Sequence, residues 1–146
     1  MAPVAPVPEL RPVSAVEEQI VRWFADRLEE DERQRILLDL QGARAEELDL
    51  SGAAIEFHLV DYSRPKSGIQ RPLPVDARVT DADGAMVLVE VLEDENARLF
   101  GLELHRVKAG ELIAPDWATL REMGPEEVVR MGIIEVTAKK WGGKRP

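Results

Sequence analysis

The stretch that decides the fold is residues 75–107, VDARVTDADGAMVLVEVLEDENARLFGLELHRV. At its start Ala77 and Val79 alternate with polar residues, which is the two-residue period of a half-buried strand. Residues 81–84, Asp-Ala-Asp-Gly, follow directly, and they favour a tight turn because glycine adopts positive φ freely. Residues 86–92 return as an apolar strand. The sequence therefore predicts a β-hairpin here.

A second turn, over residues 93–96, leads into a third strand over residues 98–107. This strand alternates between an apolar face and a polar face that carries Glu103 and His105. The three strands together predict an antiparallel β-meander. With the flanking elements they predict one core that contains Phe24, Phe57, Phe100, Leu102 and Leu104.

Two helices are predicted before the sheet. Ser14 and Glu17 have the spacing of a capping box, in which each side chain accepts a hydrogen bond from the other residue's amide. Apolar residues recur behind this box at helical spacing, namely Val16, Ile20, Phe24 and Leu28. A second helix over residues 36–40 ends at Gly42. The prediction is an α+β fold, with an N-terminal helical hairpin packed on an antiparallel meander.

The remaining segments predict shorter elements. Residues 55–59 alternate as a strand, whereas residues 63–74 contain three prolines and predict an exposed loop. Residues 115–120 predict a helical turn, and residues 125–127 place a proline and two acids in the first turn of another short helix. Residues 133–136 predict a last strand. No internal repeat is evident.

Composition restricts the class of protein. The 146 residues are 45% hydrophobic and 32% charged, which is typical of a globular domain. A formal charge of −9 would repel a phosphate backbone, so we do not expect a nucleic acid partner. The sequence contains no cysteine, which excludes disulfides and thiolate metal sites. Without a signal peptide or a membrane-spanning apolar run, we expect a cytoplasmic protein that contacts no membrane and needs no cofactor.

Three regions follow from this distribution. Four prolines within the first twelve residues predict a flexible, proline-rich tail over residues 1–13. A single α+β domain is expected over residues 14–138. Residues 139–146 combine lysine, arginine and glycine and predict a basic C-terminal tail.

Candidate chemistry is confined to the two histidines. His58 and His105 each follow a glutamate by two residues, Glu56 and Glu103, so adjacent strands could bring two imidazoles and two carboxylates together. No serine has the spacing of a hydrolase nucleophile motif, and no glycine-rich segment matches a phosphate-binding loop. We therefore assign no catalytic residue, cofactor site or metal site from the sequence.

A family resemblance rests on the turn at residues 81–84, the strand at residues 86–89, and residues 99–104 leading to Leu112 and Ile113. The helix residues Ile36-Leu37-Leu38-Asp39-Leu40 also fit. In these features the chain resembles a family of small bacterial proteins of unknown function, some of them encoded in polymorphic-toxin neighbourhoods. The resemblance implies an α+β domain and a role as an immunity protein that blocks a toxin by binding it.

The acidic charge favours such a binder, because complementary potentials speed association with a basic protein. We expect the partner to contact the acidic turns, since turns project charge without disturbing a core. The expected contact residues are Glu93, Asp94 and Glu95 first, and Asp81 and Asp83 second. Two other classes stay open: a small metal-binding or hydrolytic enzyme using the two histidines, and a regulatory or scaffolding module.

Overall fold

The computed structural model describes residues 8–129, which form two helices and eight strands. The helices are α1 (Ala15–Ala25) and α2 (Glu30–Gly42). The strands are β1 (Arg11–Pro12), β2 (Arg44–Glu47), β3 (Ala54–His58), β4 (Gln70–Pro72), β5 (Ala77–Thr80), β6 (Met86–Asp94), β7 (Leu99–Arg106) and β8 (Asp116–Glu122). Residues 125–129 are also helical. The strand predicted over 133–136, the basic tail 139–146 and the first seven residues lie outside the described residues.

All strand pairs are antiparallel, and the sheet order is β1-β2-β3-β7-β6-β5-β8, with β4 pairing to β6. The α+β class and the antiparallel sheet are therefore confirmed. The long strand β6 lies at the centre of this arrangement. Its first half pairs with β5 and its last three residues pair with β4, while β7 runs along its other edge.

Helix α1 begins at the predicted capping box. The Glu17 amide donates to Ser14 Oγ at 3.1 Å, and the Ser14 amide donates to Glu17 Oε1 at 2.9 Å. Ile20 and Phe24 are buried as predicted, but Val16 is exposed. The carboxylate of Glu17 is instead buried beneath Arg11, whose guanidinium donates to it at 2.9 and 2.6 Å.

The core lies between the helices and one face of the sheet. Phe24, Phe57, Leu102 and Leu104 are buried in one cluster, as predicted. The prediction for Phe100 was wrong, because its side chain is only half-buried. A β-bulge is the reason: Leu92 opposes Gly101 and Glu93 opposes Leu99, so Phe100 has no cross-strand partner and the alternation breaks.

Three segments differ from their predicted structure. Residues 115–120 were expected to form a helical turn, but residues 116–122 form strand β8 and pair with β5, so tertiary pairing overrides the local turn signal. The loop over residues 63–74 contains β4, and its Leu73 is buried rather than exposed. Pro72 lies at the end of β4, where a missing amide donor is tolerated. Strand β1 pairs the end of the predicted N-terminal tail with β2.

The hairpin turns on either side of β6 share one backbone pattern. In the first, the amide of Asp81 donates to the carbonyl oxygen four residues later (2.8 Å), and the amide of Gly84 donates back to Asp81 (2.9 Å). The second repeats both bonds with Asp94 and Ala97, at 2.9 and 3.0 Å. The fourth residue has positive φ in each turn, 87° at Gly84 and 59° at Ala97. The residue that begins each turn is an aspartate, Asp81 in the first and Asp94 in the second.

Candidate functional site

The first turn aspartate is a buried structural group. Asp81 is 2% exposed, and its carboxylate accepts hydrogen bonds from the amides of Ala82 (2.9 Å), Ala114 (2.8 Å) and Ile113 (3.0 Å), and from Arg106 at 2.7 Å. Burial raises the pKa of Asp81, but the three amides and the guanidinium outweigh it, so the pKa lies below its ordinary value. The carboxylate thereby fastens the segment after β7 to the hairpin.

Asp83 stands beside it on the exposed side of the same turn. Its two carboxylate oxygens receive hydrogen bonds from both terminal nitrogens of Arg106. The hydrogen bonds from Arg106 hold the pKa of Asp83 well below its usual range, with help from the Ala85 amide. The charge of Asp83 is therefore already matched within the chain.

The second turn aspartate is built in the same way. Asp94 is 1% exposed and accepts hydrogen bonds from the amides of Asn96 (2.9 Å) and Arg98 (3.0 Å), from Arg64 (3.0 Å) and from the Tyr62 hydroxyl. Burial raises the pKa of Asp94, but these donors together lower it by more. The pKa of Asp94 therefore lies below its ordinary value. A loop arginine thus holds the second turn, as a strand arginine holds the first.

The structure therefore divides the five acids that we expected to contact a partner. Asp81 and Asp94 are buried and stabilise the turns, so their charges are not displayed to solvent as we expected of turn residues. Asp83 is paired with Arg106. Glu93 is half-buried and Glu95 is exposed. The two turns lie at opposite ends of β6, so the first pair of acids is separated from the second group.

Glu93 is half-buried and lies within reach of both acids and arginines. Burial raises its pKa, and the negative charge of Glu32 on α2 adds to that rise, although Arg71 and Arg35 act against it. Arg71 is 4.0 Å from the Glu93 carboxylate. The first turn of α2 therefore lies close enough to the β6–β7 turn for their charges to interact. We call this combined surface the acidic end. Its acids are Glu30, Asp31, Glu32, Glu93 and Glu95, and it also carries Arg33, Arg35 and Arg71, of which Arg33 lies 3.8 Å from Glu30.

An exposed apolar side chain lies on the same helix. Leu38 is 68% exposed although it is a leucine in the middle of α2. It follows Asp31 by seven residues, which is close to two helical turns and places both on one helix face. Asp31 of the acidic end and the exposed Leu38 therefore share one face of α2.

The charge balance of the described residues explains why acid dominates the surface. Residues 8–129 contain 27 acidic and 14 basic side chains, which leaves a net charge of −13. Ten of the 14 basic residues are arginines in ion pairs within the chain: Arg11, Arg22, Arg27, Arg33, Arg64, Arg71, Arg78, Arg98, Arg106 and Arg121. Most of the positive charge is thus matched internally, and excess carboxylates face solvent.

The histidines do not form one constellation. Strands β3 and β7 are adjacent as required, and Glu56 lies opposite Gly101 on β7. From that pair His58 lies two residues towards one end of the sheet and His105 four residues towards the other. At about 3.3 Å per residue the two imidazoles are separated by about 20 Å. The expectation that adjacent strands unite both imidazoles is not met.

Each histidine instead joins two glutamates. His58 Nε2 lies 2.8 Å from Glu46 Oε1 and 3.1 Å from Glu56 Oε2. His105 Nε2 lies 3.1 Å from Glu103 Oε2, and Glu90 of β6 completes this second group. Within each group, one ligand atom per residue lies within 4.8 Å of the others.

Sequence reasoning missed the residues that hold these arrangements. Arg64 stands in a proline-rich stretch that reads as an exposed loop, and Arg106 follows a polar strand face, so neither shows a buried role in the sequence. Glu46 and Glu90 were missed because strand register decides which carboxylates face the histidines. The one available signal was the aspartate that begins both turns.

Comparison with known proteins gives no match: no family model, no curated protein and no solved structure matches the chain. Within residues 8–129, no helix has both the length and the apolar character that a membrane span requires.

Proposed function

We propose that this chain is a non-catalytic, acidic protein-binding domain whose acidic end docks on a basic surface of a partner protein. Its particular role in this proposal is that of a cytoplasmic immunity protein, which neutralises a toxin domain by direct binding, as the resemblance implies. The observation that carries the proposal is the internal pairing of ten of the 14 basic side chains within residues 8–129, where acids exceed bases by 13, while the full chain has a formal charge of −9.

The charge acts mainly on the rate and the specificity of association. An acidic surface attracts a basic one over about 10 Å at ordinary salt, and it repels acidic competitors. Such steering raises association rates well above those of neutral surfaces. An exposed leucine beside the acids, Leu38, supplies apolar area that is buried on docking.

The test uses the full chain as bait in affinity capture from the native host. Three baits are compared: wild type, Asp31→Lys with Glu95→Lys at the acidic end, and Glu9→Lys with Glu111→Lys as the matched control. All four positions are exposed, and both double variants make the same change in charge. We expect wild type and control to retain a protein with a basic surface, and the acidic-end variant to retain much less.

The captured protein is then purified and its association measured directly. We expect the acidic-end variant to associate about tenfold more slowly, and the wild-type rate to fall as NaCl rises from about 50 to about 300 mM. Expression of the partner should arrest growth, and co-expressed wild type should restore it. Equal association of all three baits at low salt would remove the acidic end from the interface. Partner activity unaffected by binding would contradict the immunity role.

A further inference from the structure

Two pentapeptides of the sheet are related by an approximate two-fold axis. Ala54–His58 has the sequence AIEFH, and residues 101–105 have the sequence GLELH. Ile55 pairs with Leu102, and an axis through that pair superimposes Glu56 on Glu103 and His58 on His105. This short repeat was not evident in the sequence because similarity over five residues becomes meaningful only once the register is known.

The symmetry extends to the outer strands of this unit. Glu46 of β2 lies directly opposite Glu56, and Glu90 of β6 lies directly opposite Glu103. Like charges directly opposite each other on adjacent strands are destabilising. The same unfavourable pair therefore occurs twice, and each time a histidine stands two residues further along the inner strand. Both glutamate pairs lie on the sheet face that points away from the helices. On β3, for example, Ile55 and Phe57 on either side of Glu56 point into the core, so Glu56 points the other way.

The geometry of the first group shows what would relieve this repulsion. A single atom, His58 Nε2, faces one oxygen of Glu46 and one oxygen of Glu56 at 2.8 and 3.1 Å. An imidazole nitrogen carries at most one proton, so it can satisfy only one of these oxygens with a well-directed hydrogen bond. Ligands about 2.1 Å from a common metal ion are themselves about 3.0–3.4 Å apart. The 3.1 Å contact with Glu56 falls in this range, and the 2.8 Å hydrogen bond with Glu46 would have to open by a few tenths of an ångström.

We propose that each group binds a divalent cation of the zinc type, through Glu46, Glu56 and His58 at one site and Glu90, Glu103 and His105 at the other. One imidazole nitrogen and two carboxylate oxygens form a ligand set that suits zinc. Three protein ligands leave a coordination position open to water or to a ligand from outside. The cation neutralises the opposed carboxylates and joins β2 to β3, and β6 to β7. This inference departs from the sequence-based expectation of no metal, and it is independent of the proposed protein partner.

Equilibrium dialysis of the metal-free full chain against zinc chloride tests the proposal, with bound zinc measured by atomic absorption. We expect wild type to bind two zinc ions, His58→Ala and His105→Ala to bind one each, and the double variant to bind none. Each single variant is the control for the other site. Zinc should also raise the Tm of wild type and leave the Tm of the double variant unchanged.

Conservative variants keep the test decisive if an alanine variant fails to fold. Glu46→Gln and Glu90→Gln keep side-chain size and remove one ligand charge at each site, so each should weaken binding at its own site at least tenfold. Glu9→Gln makes the same change at an exposed position elsewhere and should bind two zinc ions. Absence of saturable binding to wild type would overturn the proposal, as would two zinc ions bound by the double histidine variant. A single zinc lost only with His58→Ala would overturn the second site.

Discussion

A buried aspartate at the start of each turn is the residue on which each hairpin depends. Asp94 accepts hydrogen bonds from two amides, a guanidinium and a phenol, and its carboxylate is 1% exposed. Truncation would leave these donors buried without an acceptor, together with the unpaired charge of Arg64. We expect Asp94→Ala to lower the free energy of unfolding by about 3–5 kcal/mol, measured by urea denaturation.

The next residue in the chain provides the control. Glu95 is exposed, so Glu95→Ala should change the free energy of unfolding by no more than about 0.5 kcal/mol. Similar losses for both variants would mean that the carboxylate of Asp94 has no structural role beyond that of any turn acid.

A second residue-scale prediction concerns the strained alanine of the same turn. Ala97 has φ of 59°, a region that costs an L-residue energy and that glycine adopts freely. We expect Ala97→Gly to raise the free energy of unfolding by about 0.5–1 kcal/mol. Ala82→Gly is the matched control in the other turn, where φ is not positive, and it should lower stability because glycine gains entropy on unfolding. Loss of stability in both variants would contradict the prediction.

At the scale of the element, the bulge in β7 determines which phenylalanine supports the core. Phe57 is fully buried on β3, whereas Phe100 is half-buried and packs beneath Arg64, whose guanidinium lies 4.7 Å from the ring centre. We expect Phe57→Ala to lower the free energy of unfolding by about 3–5 kcal/mol, and Phe100→Ala by about half as much. Thermal or urea denaturation of both variants checks this. Equal losses would place Phe100 in the core after all.

Elements whose signals are local could be predicted from the sequence. The capping box at Ser14 and the Asp-Gly turn ending at Gly84 are completed by residues within four positions, so the start of α1 and the first hairpin were predicted correctly. Strand β8 could not be predicted, because its conformation depends on pairing with β5, some forty residues earlier. Propensity cannot report such a partner.

The candidate sites show the same limit. The sequence shows Glu56 two residues before His58, which strand alternation places on one face. Glu46 reaches the same imidazole only through the register of β2 against β3, which one residue of slip would reverse. The burial of Asp81 was equally hidden, since its donors Ile113 and Ala114 lie more than thirty residues away.

At the scale of the whole molecule, the acids fall into two groups with opposite effects on stability. Most strongly bonded carboxylates have lowered pKa values, as Asp81 and Asp94 do. Glu93 is the reverse case, because burial raises its pKa and Glu32 repels its charge. The first group stabilises the fold when ionised, and Glu93 opposes it. The pH profile of unfolding therefore distinguishes acids that stabilise the fold when ionised from an acid that destabilises it when ionised.

The last prediction uses this difference in sign. The stabilising contribution of Asp94 is present above its unfolded-state pKa of about 3.9 and is lost as the pH falls from there through the lower folded-state pKa. The contribution of Glu93 is favourable below its unfolded-state pKa of about 4.3 and is lost as the pH rises through its higher folded-state pKa. At pH 7, Asp94→Asn should therefore lower the free energy of unfolding, while Glu93→Gln should raise it.

Urea denaturation of wild type and the two variants at about pH 7 and about pH 3 measures both effects. Both differences from wild type should shrink at the lower pH. Glu93 is then protonated, as its amide replacement imitates, whereas Asp94 contributes less because its carboxylate binds a proton in the unfolded chain before it does so in the folded chain. Since Glu93 belongs to the acidic end, a basic partner should bind Glu93→Gln more weakly even though the variant is more stable. A Glu93→Gln variant less stable than wild type at pH 7 would show that Arg71 outweighs burial and Glu32, and that this acid is structural.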